Sequence, residues 1–265
     1  MTSTAGVPST PEQVKTERQE SMGGLAKGLA IMESFTPRRP HMTISEAAAA
    51  SDTTPAAARR CLLTLENLGY VSYDGKYFRP TPRFTRLAVS YTDTAPLITL
   101  GQPRIVAVRD ELDESVSLAV LEGNEAAFVA RAEASRIVSA GVRLGSRLPA
   151  YASATGRVLL ASLADDERDA RLRQAAPEAT TDNTLLTVDE VRSRVQEARE
   201  EGYAYTDEEL EYGVRTMAVP VVDSTGTTHA AMSVSAFAAR TRLDEMRSRF
   251  LPVLRREAES LGRML

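Results

Sequence analysis

"TTPAAARRCLLTLENLGYV", residues 53–71, decides how the first third of the chain is read. Pro55 falls in a first helical turn, where its missing N–H does no harm. Ala58, Cys61, Leu62, Leu65 and Leu68 recur at i, i+3, i+4 and i+7, an apolar stripe along one helix face. Ala56, Arg60 and Asn67 are expected to project on the opposite side, with Arg59 on its flank. Gly69 is placed to end the helix. Two adjacent arginines among alanines suit a solvated basic surface, or a face that lets a polyanion come close. The neighbouring sequence decides between these.

Upstream, "GLAKGLAIMESF" (24–35) sets Leu25, Leu29, Ile31, Met32 and Phe35 largely on one side of a helix. "TPRRPH" is a proline-rich break that carries Arg38 and Arg39. "TISEAAAAS" begins with Thr43 and has Glu46 three residues on, the pattern of a capping box on a short helix. "SDTT" is a tight connection, with Thr53 and Thr54 at the entry to the third helix. Downstream, "YVSYDGKYF" reads as two short strands around Asp74-Gly75, a strong hairpin signal. Helix, short helix, turn, helix and hairpin make a winged helix-turn-helix over residues 22–81. That order favours the groove reading of the arginines. A helix fits the DNA major groove, where arginine pairs with guanine O6 and N7. The expected DNA-facing set is Arg38, Arg39, Thr53, Thr54, Ala56, Arg59, Arg60, Lys76 and Arg79. Leu63 is discordant, because a leucine near the outer side is no hydrogen-bonding base reader.

The charge distribution points the same way. Residues 22–91 carry nine Lys or Arg against five Asp or Glu, while residues 92–265 carry 21 Arg against 28 Asp or Glu. The net charge of −4 therefore hides a basic small segment joined to an acidic large one, and only the first suits a polyanion. A hydrophobic content of 43% is ordinary for a globular chain with a core. No apolar run reaches the ~18 to 20 residues that span a bilayer. Residues 1–21 are polar, lack the apolar segment of a secretory signal, and are expected as a disordered tail. One cysteine, Cys61, and two histidines, His41 and His229, supply neither an internal disulfide nor an obvious metal cluster. The expectation is a cytoplasmic protein without metal or cofactor.

Residues 82–95 read as a linker helix between domains, bounded by Pro80, Pro82 and Pro96. Residues 96–265 then mix helices and strands. "LITLGQPRIVAVRDEL" is helical despite Pro103. "SVSLAVLEGNEAAFVARAEA" is a hairpin turning near Gly123-Asn124, and "RIVSAGVRL" (136–144) a further strand. Helices follow in "ASATGRVLLASL", "DDERDARLRQA" and "TVDEVRSRVQEAREEG". "GVRTMAVPVVDSTGTTHAAMSVSAF" is two strands around a Ser-Thr-Gly turn, and a helix closes the chain. The class is α+β with an antiparallel sheet, in the manner of a sensor domain.

Within that domain two stretches suit a small molecule. Along "HAAMSVSAF", Ala231, Ser233, Ser235 and Phe237 share one side, and Met232, Val234 and Ala236 pack into the core on the other. Val214, Thr216 and Ala218 share one side of the preceding strand. This small, hydroxylated surface fits a polar pocket wall, and it also fits a strand face open to solvent. In "YASATGRVLL", Ser153 and Thr155 flank Ala154 where a helix begins. First-turn N–H groups favour a carboxylate there; plain N-capping by Ser153 accounts for the serine equally well. Nothing supports an enzyme. Neither histidine has a spaced partner, "ASATG" lacks the glycines of a nucleophile elbow, and no phosphate-binding fingerprint occurs.

With these motifs in view, the chain resembles the IclR family of bacterial transcriptional regulators over nearly all its length after the tail. "LAKGLAIMESF", "LPAYASATGRVLLASL" and "GYAYTDEELEYGVRTMAVPVVDSTGTTHAAMSVSAF" carry the resemblance. "TTPAAARRCLLTLENLGYV" and "GSRLPAY" with "GRVLLA" look like the branch regulating aromatic-acid breakdown through the β-ketoadipate pathway. Protocatechuate, 4-hydroxybenzoate and β-ketoadipate are the effectors associated with that branch. The resemblance implies a C-terminal effector domain of GAF-like shape, and homodimers, often paired into tetramers, on palindromic promoter DNA. It also implies an effector pocket that includes Ala152, Ala154, Thr155, Thr206, Val214, Thr216, Ser233 and Ser235, beside the Ser153 read above. Ala154 and Thr216 stand where many relatives carry glycine and cysteine, which changes pocket volume and polarity.

Overall fold

The computed structural model describes residues 22–135 and 142–265, the side chains of residues 92 and 93 excepted. The expected tail at 1–21 lies outside the described residues. So does most of the strand expected at 136–144, and its described end, 142–144, is not strand. The chain divides into two units, Met1–Tyr91 and Thr92–Leu265.

In the first unit, α1 (Gly23–Glu33), α2 (Ile44–Ala50) and α3 (Pro55–Asn67) are followed by the hairpin β1 (Val71–Tyr73) and β2 (Phe78–Pro80). Local sequence sets each boundary. Thr43 accepts the Glu46 N–H and Glu46 accepts the Thr43 N–H at 2.7 Å, so both arms of the capping box close. The Thr43 N–H bond holds the Glu46 carboxyl below its ordinary range. Thr54 caps α3 by accepting the Ala57 N–H. At the other end Gly69 adopts φ +77°, and the Tyr70 N–H reaches the Leu65 carbonyl, a Schellman closure that a side chain at 69 would strain. In the wing turn, Asp74 accepts the N–H groups of Lys76 and Tyr77, while Gly75 takes φ +99°. Met42 exchanges two backbone hydrogen bonds with Phe78, tying the wing to the strand-like residue before α2. Ile31, Met42, Ala47, Ala58, Leu62, Leu65, Val71 and Phe78 form the core of this unit.

Two expectations fail in part. Leu68, read into the apolar stripe of α3, is 51% exposed. Leu25 and Leu29 of α1 are exposed, at 59% and 46%, and only Ile31 of that helix is fully buried. They line an apolar groove between α1 and α3 instead of joining the core. The expected linker begins as a 3-10 turn (Pro82–Phe84) and continues as α4 (Thr85–Thr94).

The second unit opens with α5 (Pro96–Leu112), which holds Pro103 within it. Then come β3 (Ser115–Glu122), β4 (Glu125–Ala132), β5 (Arg147–Pro149), α6 (Ala154–Ala161), α7 (Asp165–Arg173) and α8 (Val188–Glu201). They are followed by β6 (Ala204–Asp207), β7 (Val214–Val222) and β8 (Thr228–Phe237). A helical start at Leu243–Glu245 and a π-helical segment, Met246–Phe250, lead into α9 (Leu251–Gly262). The strands form one antiparallel sheet in the order β5-β4-β3-β8-β7-β6. Strands β5 and β6, at its two edges, lie in stretches that sequence periodicity left unassigned.

Each face of the sheet buries a different set of residues. Val116, Leu118, Met217, Met232 and Val234 pack with Ile105 and Val108 of α5 and Leu254, Ala258 and Leu261 of α9. Ala119, Phe128, Ala218 and Ala231 pack on the other face with Val158 and Leu159 of α6 and Val191 and Val195 of α8. The alternation read along β8 therefore holds: Met232, Val234 and Ala236 enter the first core. This domain is the antiparallel α+β sheet expected from sequence.

Candidate functional site

Two places bring chemistry-bearing residues together, one in each unit. On α3, Ala57, Ala58, Leu62 and Leu65 are buried, and Ala56, Arg59, Arg60 and Asn67 are exposed. At 100° per residue, the outward face runs through Ala56, Arg60, half-buried Leu63 and Asn67, with Arg59 on its flank. Arg60 lies on that outward side, as spacing suggested, and its side chain also borders the groove toward α1. Neither guanidinium makes an ion pair or side-chain hydrogen bond among the described residues, so both are available to an external anion. Arg38 and Arg39 are exposed in a turn closed by reciprocal Thr36–Arg39 backbone bonds.

The wing cations are less free than expected. Lys76 sits 4.8 Å from the Tyr77 ring centroid, and Arg79 pairs with Asp74 at 3.3 Å. That pair is half-exposed, which makes it a weak competitor for a phosphate. Thr53 needs correction as an outward group, because its hydroxyl is buried. Thr54 caps α3 by accepting the Ala57 N–H, which leaves its exposed hydroxyl free to donate.

In the second unit a cavity of about 390 Å³ lies between the start of α6 and the sheet. Its sheet wall is in register: Thr206 pairs with Thr216 and Thr216 with Ser235, a row of hydroxyls across β6, β7 and β8, with Ser233 beside it. The Thr216 and Ser235 hydroxyls are 3.4 Å apart. Val214, Phe128 and Leu148 give the cavity apolar surface. Opposite stand Ser153, Ala154 and Thr155. Ser153 is the N-cap, accepting the Gly156 N–H at 3.0 Å, so the capping alternative is realised. The N–H groups of Ala154 and Thr155, first in the helix, have no intrahelical acceptor by construction.

Eight of the nine residues expected at this site line the cavity; Ala152 does not, and is buried beside it. The cap at Ser153 turns the chain there, so residues on either side of the cap do not share a wall. Val142, from the stretch expected as a strand, also lines the cavity, as do Ser146, Arg147, Leu210 and Glu211, which lie where the sequence carries no periodic signal. Arg147 already donates to Glu125 at 2.7 Å and pairs with Glu122 at 3.0 Å.

The wall formed by residues 208–213 is held from below. Arg157 of α6, 1% exposed, donates to Glu209 through both terminal nitrogens at 3.1 and 2.5 Å, and to the Tyr151 carbonyl at 3.0 Å. Thr181 and Thr184 donate to the Glu208 and Glu209 carbonyls. Gly156 brings α6 against the preceding turn: a Cβ there would lie 2.2 Å from the Ala150 Cα and carbonyl oxygen. Gly156→Ala is expected to force that backbone apart and cost about 1–3 kcal/mol, as overpacking does. A thermal melt checks this, and an unchanged midpoint would contradict the close approach.

No group of three or more His, Cys, Asp or Glu is placed to hold a metal among the described residues. His229 pairs with Asp223 at 2.7 Å in the exposed β7–β8 turn. The Thr225 hydroxyl, first, and then the His229 ring hold the Asp223 carboxyl far below its usual range. No helix is long and apolar enough to cross a membrane among the described residues.

The geometry agrees with the comparisons. Residues 24–75 match the IclR helix-turn-helix domain, and residues 89–263 match the bacterial transcriptional regulator IclR C-terminal domain. The chain belongs to the IclR family. It is similar to the Pca regulon regulatory protein of Pseudomonas putida, 36% identical over 93% of this chain and 85% of the relative. A solved transcriptional regulator of Rhodococcus sp. RHA1 is 40% identical, with a TM-score of 0.82 over 92% of this chain and 98% of that one. The inducer-binding domain of the PobR transcription factor from Acinetobacter, a double mutant in complex with 3-hydroxybenzoic acid, is 28% identical. It has a TM-score of 0.60 over 63% of this chain and 98% of its own length. As an IclR-family protein the chain is a DNA-binding transcriptional regulator and not an enzyme.

Proposed function

We propose that this IclR-family regulator binds a small carboxylic acid, aromatic or dicarboxylic, in the sheet cavity. Occupancy there alters promoter affinity and so controls genes of aromatic-compound breakdown. The cavity carries the reading. Its volume falls within the ~300 to 1,000 Å³ usual for small-molecule sites. It offers apolar faces for a ring, a row of hydroxyls, and the N–H groups of a helix start as donors to a ligand oxygen. The Acinetobacter PobR domain, bound to 3-hydroxybenzoic acid, supports the aromatic-acid class. Glu211, exposed at the cavity edge, disfavours a second negative charge nearby, which favours a monoanionic benzoate over a dianion.

Exposed Arg38, Arg39, Ala56, Arg59 and Arg60, with Lys76 and Arg79 of the wing, are the DNA contacts in this reading. A homodimer is its working unit, because a twofold operator is read by two recognition helices. Leu87, Val89 and Tyr91 of α4, each about half exposed, offer apolar area for such an interface. A tetramer is then a pair of dimers. A DNA-binding role places the protein in the cytoplasm.

Thermal unfolding of the full chain with hydroxybenzoates, protocatechuate and β-ketoadipate tests the effector reading. A cognate acid at a hundredfold excess over its dissociation constant is expected to stabilise by ~2.7 kcal/mol and to be recovered unchanged. If no acid moves the midpoint while the protein still binds its promoter, the cavity is not an acid site.

A further inference from the structure

The cavity needs a counter-charge for an acid, and the arginines near it are not equivalent. Arg147 is paired to Glu122 and Glu125, and Arg157 to Glu209. Arg131 differs. Its side chain is 5% exposed, its Nε donates to Glu133 at 3.1 Å and its Nη1 to the Ser117 hydroxyl at 3.1 Å. Its Nη2 is buried and finds no hydrogen-bond partner among the described residues. A buried donor left unmatched is destabilising, more so on a charged group.

Register puts this guanidinium on the cavity side of the sheet. Arg131 of β4 pairs with Ser117 of β3, and Ser117 with Ser233 of β8, which lines the cavity. Partners directly across a ladder share a face, and strands are spaced by ~4.8 Å. Arg131 is therefore rooted two strands from Ser233, and its contact with Ser117 brings the guanidinium one strand nearer. The β-bulge between Leu118 and Ala119 lets this happen. It puts Phe128, a cavity residue, and Arg131 on the same face although they are three residues apart.

We propose that Arg131 is the anchor of the effector carboxylate. The acid enters along the Ser233–Ser117 row and its carboxylate takes the open Nη2, a charge-assisted bond in a low-dielectric corner. The opposite end of the ring then lies toward the first turn of α6. Arg131 and Ser117 are not among the residues lining the cavity, so in this assignment the bound acid extends the cavity along the Ser233–Ser117 row to reach Nη2. The inference rests on the cavity being the effector site.

Calorimetric titration of the full chain with 4-hydroxybenzoate and with neutral 4-hydroxybenzamide separates the two claims. The wild type is expected to bind the acid at least tenfold more tightly than the amide. In Arg131→Gln the acid should weaken tenfold or more, the amide by less than threefold, and the preference should collapse. Arg131→Lys should retain part of it, and carries the test if the glutamine variant does not fold. A wild-type acid-to-amide ratio in these variants overturns the anchor and moves the carboxylate to the α6 end. A wild type that binds neither compound removes the effector reading and the anchor with it.

Discussion

Replacing Arg59 and Arg60 together with alanine is expected to weaken binding to the protein's own upstream DNA by roughly 30-fold or more. Each arginine contributes ~1 to 3 kcal/mol if it pairs with a base edge, and a phosphate contact adds about one to the salt slope. The folded state has little stake in either side chain. Both are exposed and neither is paired among the described residues, so the melting midpoint should barely move, as for most surface changes. Arginine-to-lysine variants sort the mechanism. If they keep most of the affinity, the guanidiniums grip phosphate; if they lose it, they read bases. An α-helix nearly fills the ~12 Å major groove, so its flanks face the two phosphate backbones and its centre faces the bases. The flanking position of Arg59 favours phosphate, and Arg60, nearer the centre of the outward face, is the better placed to reach a base edge. Undiminished affinity in the double variant would remove α3 from the interface.

Glu209→Ala is expected to destabilise the effector domain by about 3–5 kcal/mol, since it leaves the Arg157 guanidinium buried without its counter-charge. For a domain of this size that is a drop of roughly 6 °C or more in melting temperature. The double change Arg157→Met with Glu209→Leu should recover much of the loss, because an apolar pair does not leave a stranded ion. Acid binding should suffer in the single variant beyond the stability loss, since Glu209 anchors the segment that carries Leu210 and Glu211. Calorimetry gives the midpoint, and hydrogen exchange over residues 208–213 reports whether that wall has come loose. A single variant as stable as wild type would mean that water reaches Arg157, against its near-complete burial.

The parts legible in the sequence are those whose cause is local. Thr43 with Glu46, Pro55 in the first turn of α3, Asp74-Gly75 and the stripe through Leu62 and Leu65 each act locally, and together they specify the winged domain. The hydroxyl face of β8 was legible for the same reason, as strand alternation needs only neighbours. The open face of α1 was not, because amphipathic spacing shows that a face is apolar but not what covers it. Arg157 and Glu209 stand 52 residues apart, and nothing local to either announces the pair. Arg131 is hidden by the bulge at Leu118/Ala119, which breaks the period of two that strand reading depends on. Ala152 was carried in with its neighbours, and the turn at the Ser153 cap separates it from them.

The most direct test is fluorescence anisotropy of the labelled upstream DNA, titrated with the full chain at several salt concentrations, with and without 4-hydroxybenzoate or protocatechuate. The account predicts salt-dependent binding whose affinity changes at saturating acid. By linkage, the acid's affinity must change by the same factor when DNA is bound. DNA affinity that stays the same at acid concentrations shown to fill the cavity would contradict it.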